Sequence, residues 1–140
     1  MKLIHTALVL SLLFTVSSPI HAQKLNRNER RIIERVSANN EEAIHFLEKV
    51  VNINSGSLNL EGVKRVGAVF TEGFEAIGFN TDWESMPEEM NRAGHLLAKT
   101  TGAKGKKLLL IGHLDTVFEE NSPFQTFEKI NDSIALAPGG

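Results

Sequence analysis

Residues 107–118 read KLLLIGHLDTVF. An apolar run, Leu108, Leu109, Leu110 and Ile111, gives way to Gly112-His113-Leu114-Asp115-Thr116. A histidine and a carboxylate two residues apart are residue types that hold a metal ion or move a proton. Side chains on a strand alternate between faces, so the spacing predicts that His113 and Asp115 point the same way and Leu114 the opposite way. An imidazole that binds metal must be neutral with one nitrogen free. A carboxylate that accepts the other N–H fixes the tautomer and the direction of the ring. Asp115 is placed to orient such a site, either through the imidazole or through another group at the metal. A His-x-Asp spacing alone is common and usually a satisfied structural pair. Its position argues for more. Polar groups that break the end of a buried strand are costly if unpaired, and ligands of open α/β sheets gather outside the carboxyl ends of strands. Gly112 leaves room for a group to approach the backbone.

The elements that would position this pair can be read from periodicity. Residues 25–37 are basic and helix-prone, with apolar positions only at Ile32, Ile33 and Val36 after Leu25. A second helix is expected from Asn39-Asn40-Glu41-Glu42, where a side chain caps free N–H groups and acids sit in the positive first turn. Ile44, Leu47, Val50 and Val51 give its apolar face, and Asn54-Ser55-Gly56-Ser57 stops it. Asn59 is a cap for a third helix, with Glu61 in the first turn. Val63, Val66, Phe70, Phe74 and Ile77 lie three and four apart, and Gly78 ends the pattern. Gly62, Gly67 and Gly73 weaken this helix, which close packing on a sheet should offset. Strands are expected over 79–85 and 92–101, with a polar loop at 86–91 and a turn at 102–105. The continuous apolar run of 106–113 predicts a central strand buried on both faces. Two short strands around Asn131-Asp132 complete an α/β domain in which helices pack on a mixed sheet.

Composition narrows the function. The chain has 140 residues, 41% hydrophobic, with a formal net charge of -2, which suits one domain or part of one. So balanced a charge gives no electrostatic case for nucleic acid or for an anionic membrane surface, and no stable membrane anchor is expected. The chain holds no cysteine, which excludes disulfides and a lipid-bearing thiol. Lys2 followed by the apolar stretch ALVLSLLFTV at 7–16, then Ser17-Ser18-Pro19 and Ala22, reads as a leader cleaved before Gln23. The stretch is too short to span a bilayer. The expected location is secreted or periplasmic.

Other chemistry-bearing residues have simpler explanations. Glu41-Glu42 suits a helix first turn, and Glu88-Glu89 suits a solvated loop. Glu119-Glu120 follows the motif directly but is not expected to ligate. His45 falls among charged helix residues, and His95 is expected to be structural. GAKGKK at 102–107 lacks the first glycine and the Ser/Thr of a phosphate-binding loop and precedes a strand, so a turn explains it.

The stretch LLLIGHLDTVF resembles the first metal motif of the M20 zinc metallopeptidases, the glutamate carboxypeptidase and aminoacylase group. FLEKVVNINSGSLNLEG at 46–62 is similar to the opening of the catalytic domain in the carboxypeptidase branch. FEAIGF, GHLLA, the segment 123–127 and the hairpin before Ala137-Pro138-Gly139-Gly140 follow in the family's order. The resemblance implies a leader over 1–22, a leading helix or linker over 23–39, and the incomplete N-terminal portion of a zinc-peptidase catalytic domain over 40–140. It implies that His113 is a zinc ligand and Asp115 the catalytic carboxylate that organises the site. Two zinc ions per complete site are implied, with one ligand present here. In the family a Gly-Pro-Gly stretch leads to a bridging aspartate. Alanine stands here for the first glycine, and the aspartate, the Glu-Glu pair and the smaller domain would lie further on. A zinc pair of this kind activates water and polarises the scissile carbonyl. The implied reaction is hydrolysis of an amide bond next to a free carboxylate, in a peptide or N-acyl amino acid, by an enzyme that could be a homodimer when complete. An aminoacylase or deacylase is the alternative within the family. A non-catalytic secreted remnant is the alternative outside it. The chain alone is expected to be inactive and poorly soluble.

Overall fold

The computed structural model describes residues 24–102 and 104–138. The leader expected over 1–22 lies outside the described residues, as do Gly139 and Gly140. The chain divides into two units between Ala38 and Asn39.

The first unit contains helix α1, Arg27–Ala38. Asn26 and Glu29 cap it reciprocally. Asn26 Oδ1 accepts from the N–H groups of Asn28 at 2.9 Å and Glu29 at 3.0 Å, and Glu29 Oε2 accepts from Asn26 N–H at 2.7 Å.

The second unit opens with α2, Asn40–Val51, and α3, Leu60–Ala76. Asn39 precedes α2 as expected, yet its side chain makes no capping bond; its carbonyl takes Ala43 N–H at 3.0 Å. Asn59 does cap α3, accepting from Gly62 N–H at 3.0 Å. The C-terminus of α3 closes by two reverse bonds, Gly78 N–H to the Glu75 carbonyl at 3.0 Å and Phe79 N–H to the Phe74 carbonyl at 3.0 Å. This closure needs Gly78 at φ +87, and it brings the Phe74 and Phe79 rings to 5.5 Å. Ile77 sits at that cap and is exposed, outside the apolar face assigned to it.

The core lies between the two helices and a hairpin. Val51, Val63, Val66 and Ala93 are buried, and Phe46 meets Phe70 edge-on at 5.2 Å. The hairpin pairs β1, Asn80–Glu84, with β2, His95–Lys99, antiparallel. Thr81, Trp83, Leu96 and Ala98 form its half-buried face. A short 3₁₀ turn, Glu88–Met90, occupies the expected polar loop. The glycines of α3 behave as packing requires. A Cβ on Gly67 would stand 2.5 Å from Trp83 Cζ3, whereas one on Gly73 would make ordinary contact, 3.7 Å from Phe46. A second antiparallel hairpin joins β3, Glu128–Asn131, to β4, Ile134–Leu136, around Asp132 and Ser133.

The architecture is therefore mixed α/β, but two expectations fail. The sheet is not mixed: among the described residues both sheets are two-stranded and antiparallel, and the parallel pairing is an isolated bridge, Gly56 with Thr116. Residues 106–113 form no strand, and Leu108, Leu109, Leu110 and Ile111 are 82%, 80%, 82% and 86% exposed. A strand buried on both faces needs a partner on each edge and a layer over each face. The strands described here pair only within their own hairpins, which leaves 106–113 without either.

Two outcomes follow. Gly73→Ala should raise stability in urea unfolding by up to about 1 kcal/mol through helix propensity. Gly67→Ala should lower it by about 1–2 kcal/mol, because displacing Trp83 outweighs the same gain. The exposed apolar run should also drive self-association. Leu109→Lys should increase the monomer fraction in sedimentation velocity, and an unchanged distribution would refute that role for the run.

Candidate functional site

The site is built from two stretches far apart in sequence. One is the loop from Asn52 to Asn59 between α2 and α3. The other runs from His113 to Gln125. They meet at the Gly56–Thr116 bridge, where Thr116 N–H donates to the Ser55 carbonyl at 2.8 Å and Ser57 N–H to the Thr116 carbonyl at 3.1 Å. Asn54 holds the loop from inside. Its Nδ2 donates to the Phe118 carbonyl at 2.9 Å and to Gln125 Oε1 at 2.7 Å. Its Oδ1 accepts from Gly56 N–H at 3.2 Å and Asn59 Nδ2 at 2.9 Å. Gln125 Nε2 in turn donates to the carbonyls of Glu119 and Ser122, each at 2.8 Å.

This frame sets the two residues singled out by the sequence. Ser57 Oγ donates to Asp115 Oδ2 at 2.5 Å. Asp115 Oδ1 lies 3.6 Å from His113 Nδ1. The shorter contact of the ring is to the Asp115 backbone carbonyl, at 2.7 Å. A carbonyl can only accept, so Nδ1 carries the proton and Nε2 of the neutral ring is left with a free lone pair. The His113 side chain is 79% exposed. Leu114 lies against Gly67 on α3 and is half-buried. His113 and Asp115 lie together, with the ring oriented by main chain and the carboxylate by Ser57. They stand at the edge of an open hollow lined by Leu47, Val50, Val66, Phe70 and Leu114.

The acidic pair that follows has a different task. Glu119 accepts from Leu58 N–H at 3.2 Å, and Glu120 accepts from Asn59 Nδ2 at 3.3 Å. Both fasten the loop. His45 is exposed on α2 beside Glu48, and His95 sits opposite Glu84 on the exposed face of the first hairpin. Among the described residues no group of three or more His, Cys, Asp or Glu is placed to hold a metal ion. A catalytic zinc takes about three protein ligands. His113 and Asp115 offer one ring nitrogen and one carboxylate, so the described residues do not by themselves fit a zinc centre.

Sequence reasoning missed Ser57, Asn54 and Gln125. The run Asn52-Ile53-Asn54-Ser55-Gly56-Ser57 was legible only as a helix stop. Its density of short polar side chains was the available signal, since such residues bond to backbone outside regular elements.

Over 96 residues, 69% of this chain, the sequence is 30% identical to carboxypeptidase G2 from Pseudomonas sp. (strain RS-16). The chain is similar to a carboxypeptidase. The aligned stretch covers 23% of that protein, so the chain spans under a quarter of the relative it matches. No family model and no solved structure matches the chain. The likeness therefore supports the carboxypeptidase side of the resemblance read from the motifs.

The frame should be sensitive to Asn54. Asn54→Ala removes bonds to Phe118 and Gln125 in a partly buried setting and should lower stability by about 2–3 kcal/mol in urea unfolding. Ser57→Ala should cost less, about 1 kcal/mol, because Asp115 is open enough for water to replace the hydroxyl. The reverse ranking would remove Asn54 from the centre of the frame.

Proposed function

We propose that the chain forms the opening part of the catalytic domain of a carboxypeptidase-like hydrolase. In this reading the enzyme is zinc-dependent and cuts an amide bond beside a free carboxylate, releasing a C-terminal amino acid such as glutamate. The supporting observation is the orientation of His113. Its Nδ1 is engaged by the Asp115 carbonyl, its Nε2 is free and the side chain is exposed, which is the state a ligand histidine requires. Asp115 is the positioned carboxylate next to it, and Ser57 holds its far oxygen. The similarity to carboxypeptidase G2 supports the reaction class. This reading requires further metal donors, a proton-transferring carboxylate and a substrate pocket besides the described residues. The leader-like sequence over 1–22 supports a reading in which the activity lies in the periplasm or outside the cell.

The test uses the complete product of the locus, loaded with zinc and assayed for release of C-terminal glutamate from a peptide and from an N-acyl amino acid. His113→Ala should abolish zinc binding at one position and reduce release by about a hundredfold or more. Asp115→Asn should reduce it by roughly ten- to a hundredfold. Full activity in His113→Ala would remove this residue from the site. No release from either substrate by a folded, zinc-loaded protein would remove the function.

A further inference from the structure

Helix α1, Arg27–Ala38, buries none of its side chains. Its apolar residues are concentrated on one side. At 3.6 residues per turn, Ile32, Ile33 and Val36 share a face, and they are 62%, 50% and 65% exposed. Arg27 and Arg31 lie on the opposite face, and Arg30 and Arg35 flank the apolar one on either side. Glu34 lies with Arg27 and Arg31, and Glu29 falls on the apolar side of the first turn, where it is engaged in the cap with Asn26. From Lys24 to Ala38 five basic residues stand against two acidic ones, a net +3 in a chain whose total is -2. The near-neutral total hides a local separation of charge.

Three kinds of partner could meet such a helix. A nucleic acid would use the arginines and leave the isoleucines in water. A protein groove would use the apolar face and has no need of arginines along both of its edges. An anionic lipid surface uses both at once: apolar side chains enter the acyl boundary, and flanking arginines extend their stems to the phosphates. We propose that α1 is an interfacial helix that docks reversibly on an anionic phospholipid surface, with Ile32, Ile33 and Val36 inserted and Arg30 and Arg35 at headgroup level. The length and polarity of α1 suit lying on a bilayer, not crossing one; among the described residues no helix is long and apolar enough to cross. So short a helix is marginal in water, which adds an ordering step to docking and keeps it reversible.

The test is co-sedimentation of the purified full chain with vesicles of phosphatidylcholine alone or mixed with phosphatidylglycerol. The stretch over 1–22 is common to all variants and is read as a leader, so the same comparison is made with the chain that starts at Gln23, and it is there that binding to neutral and anionic vesicles is compared. That chain should partition onto the anionic vesicles, less so as salt rises. Arg30→Gln with Arg35→Gln should lower the partition coefficient by about thirtyfold. Ile32→Gln with Ile33→Gln, which keeps helix propensity, should lower it by about tenfold or more. Leu109→Gln with Leu110→Gln should leave it unchanged. Equal binding to neutral vesicles, no binding at all, or indifference to the α1 variants would overturn the proposal. Loss of binding in the Leu109 and Leu110 variant would overturn it too, by assigning the affinity to the exposed run at 108–111.

Discussion

The amide of Asn54 does for the loop between α2 and α3 what a ladder of backbone bonds does for a strand. It gives both of its hydrogens to the segment that follows Thr116 and takes two donors from its own loop. An amide can do this because it donates and accepts at once, which neither aspartate nor leucine of similar size can. The isolated bridge between Gly56 and Thr116 lies between these bonds. Ser57 then reaches Asp115, and Asp115 reaches His113 through its main chain. Each step is oriented by the one before it, and the chain of dependence begins at Asn54.

This explains how the pair at 113 and 115 keeps a defined geometry although the run before it forms no strand. A strand would have fixed both side chains by alternation. Here Leu114 is anchored towards α3, Asp115 is held by the loop, and the ring of His113 folds back onto the carbonyl of Asp115. The strand from which the sequence argument placed the two side chains is not present.

What could be read in advance divides along a physical line. Helices α2 and α3 were legible because their apolar residues recur at three and four, and the end of α3 because a glycine at φ +87 closes it. The strands of the first hairpin were legible as two segments either side of a polar loop with Pro87. The run at 106–113 was misread because composition reports what a segment would bury, not whether neighbours exist to bury it. The loop side chains were missed for another reason. Asn54, Ser57 and Gln125 act through tertiary bonds, and no periodicity marks a residue whose partner lies 71 positions away, as Gln125 does from Asn54.

That separation also bears on when the site exists. Ser57 and Asp115 are 58 residues apart, and the bridge beside them closes a loop that includes α3 and the whole first hairpin. The entropy of closing such a loop has to be met before any bond across it is gained. The helix and hairpin can form from local contacts, on the time scales of helix and hairpin formation. The contact between the two stretches must await them. The candidate site therefore depends on contacts of high sequence separation, which form only once the elements between them are in place.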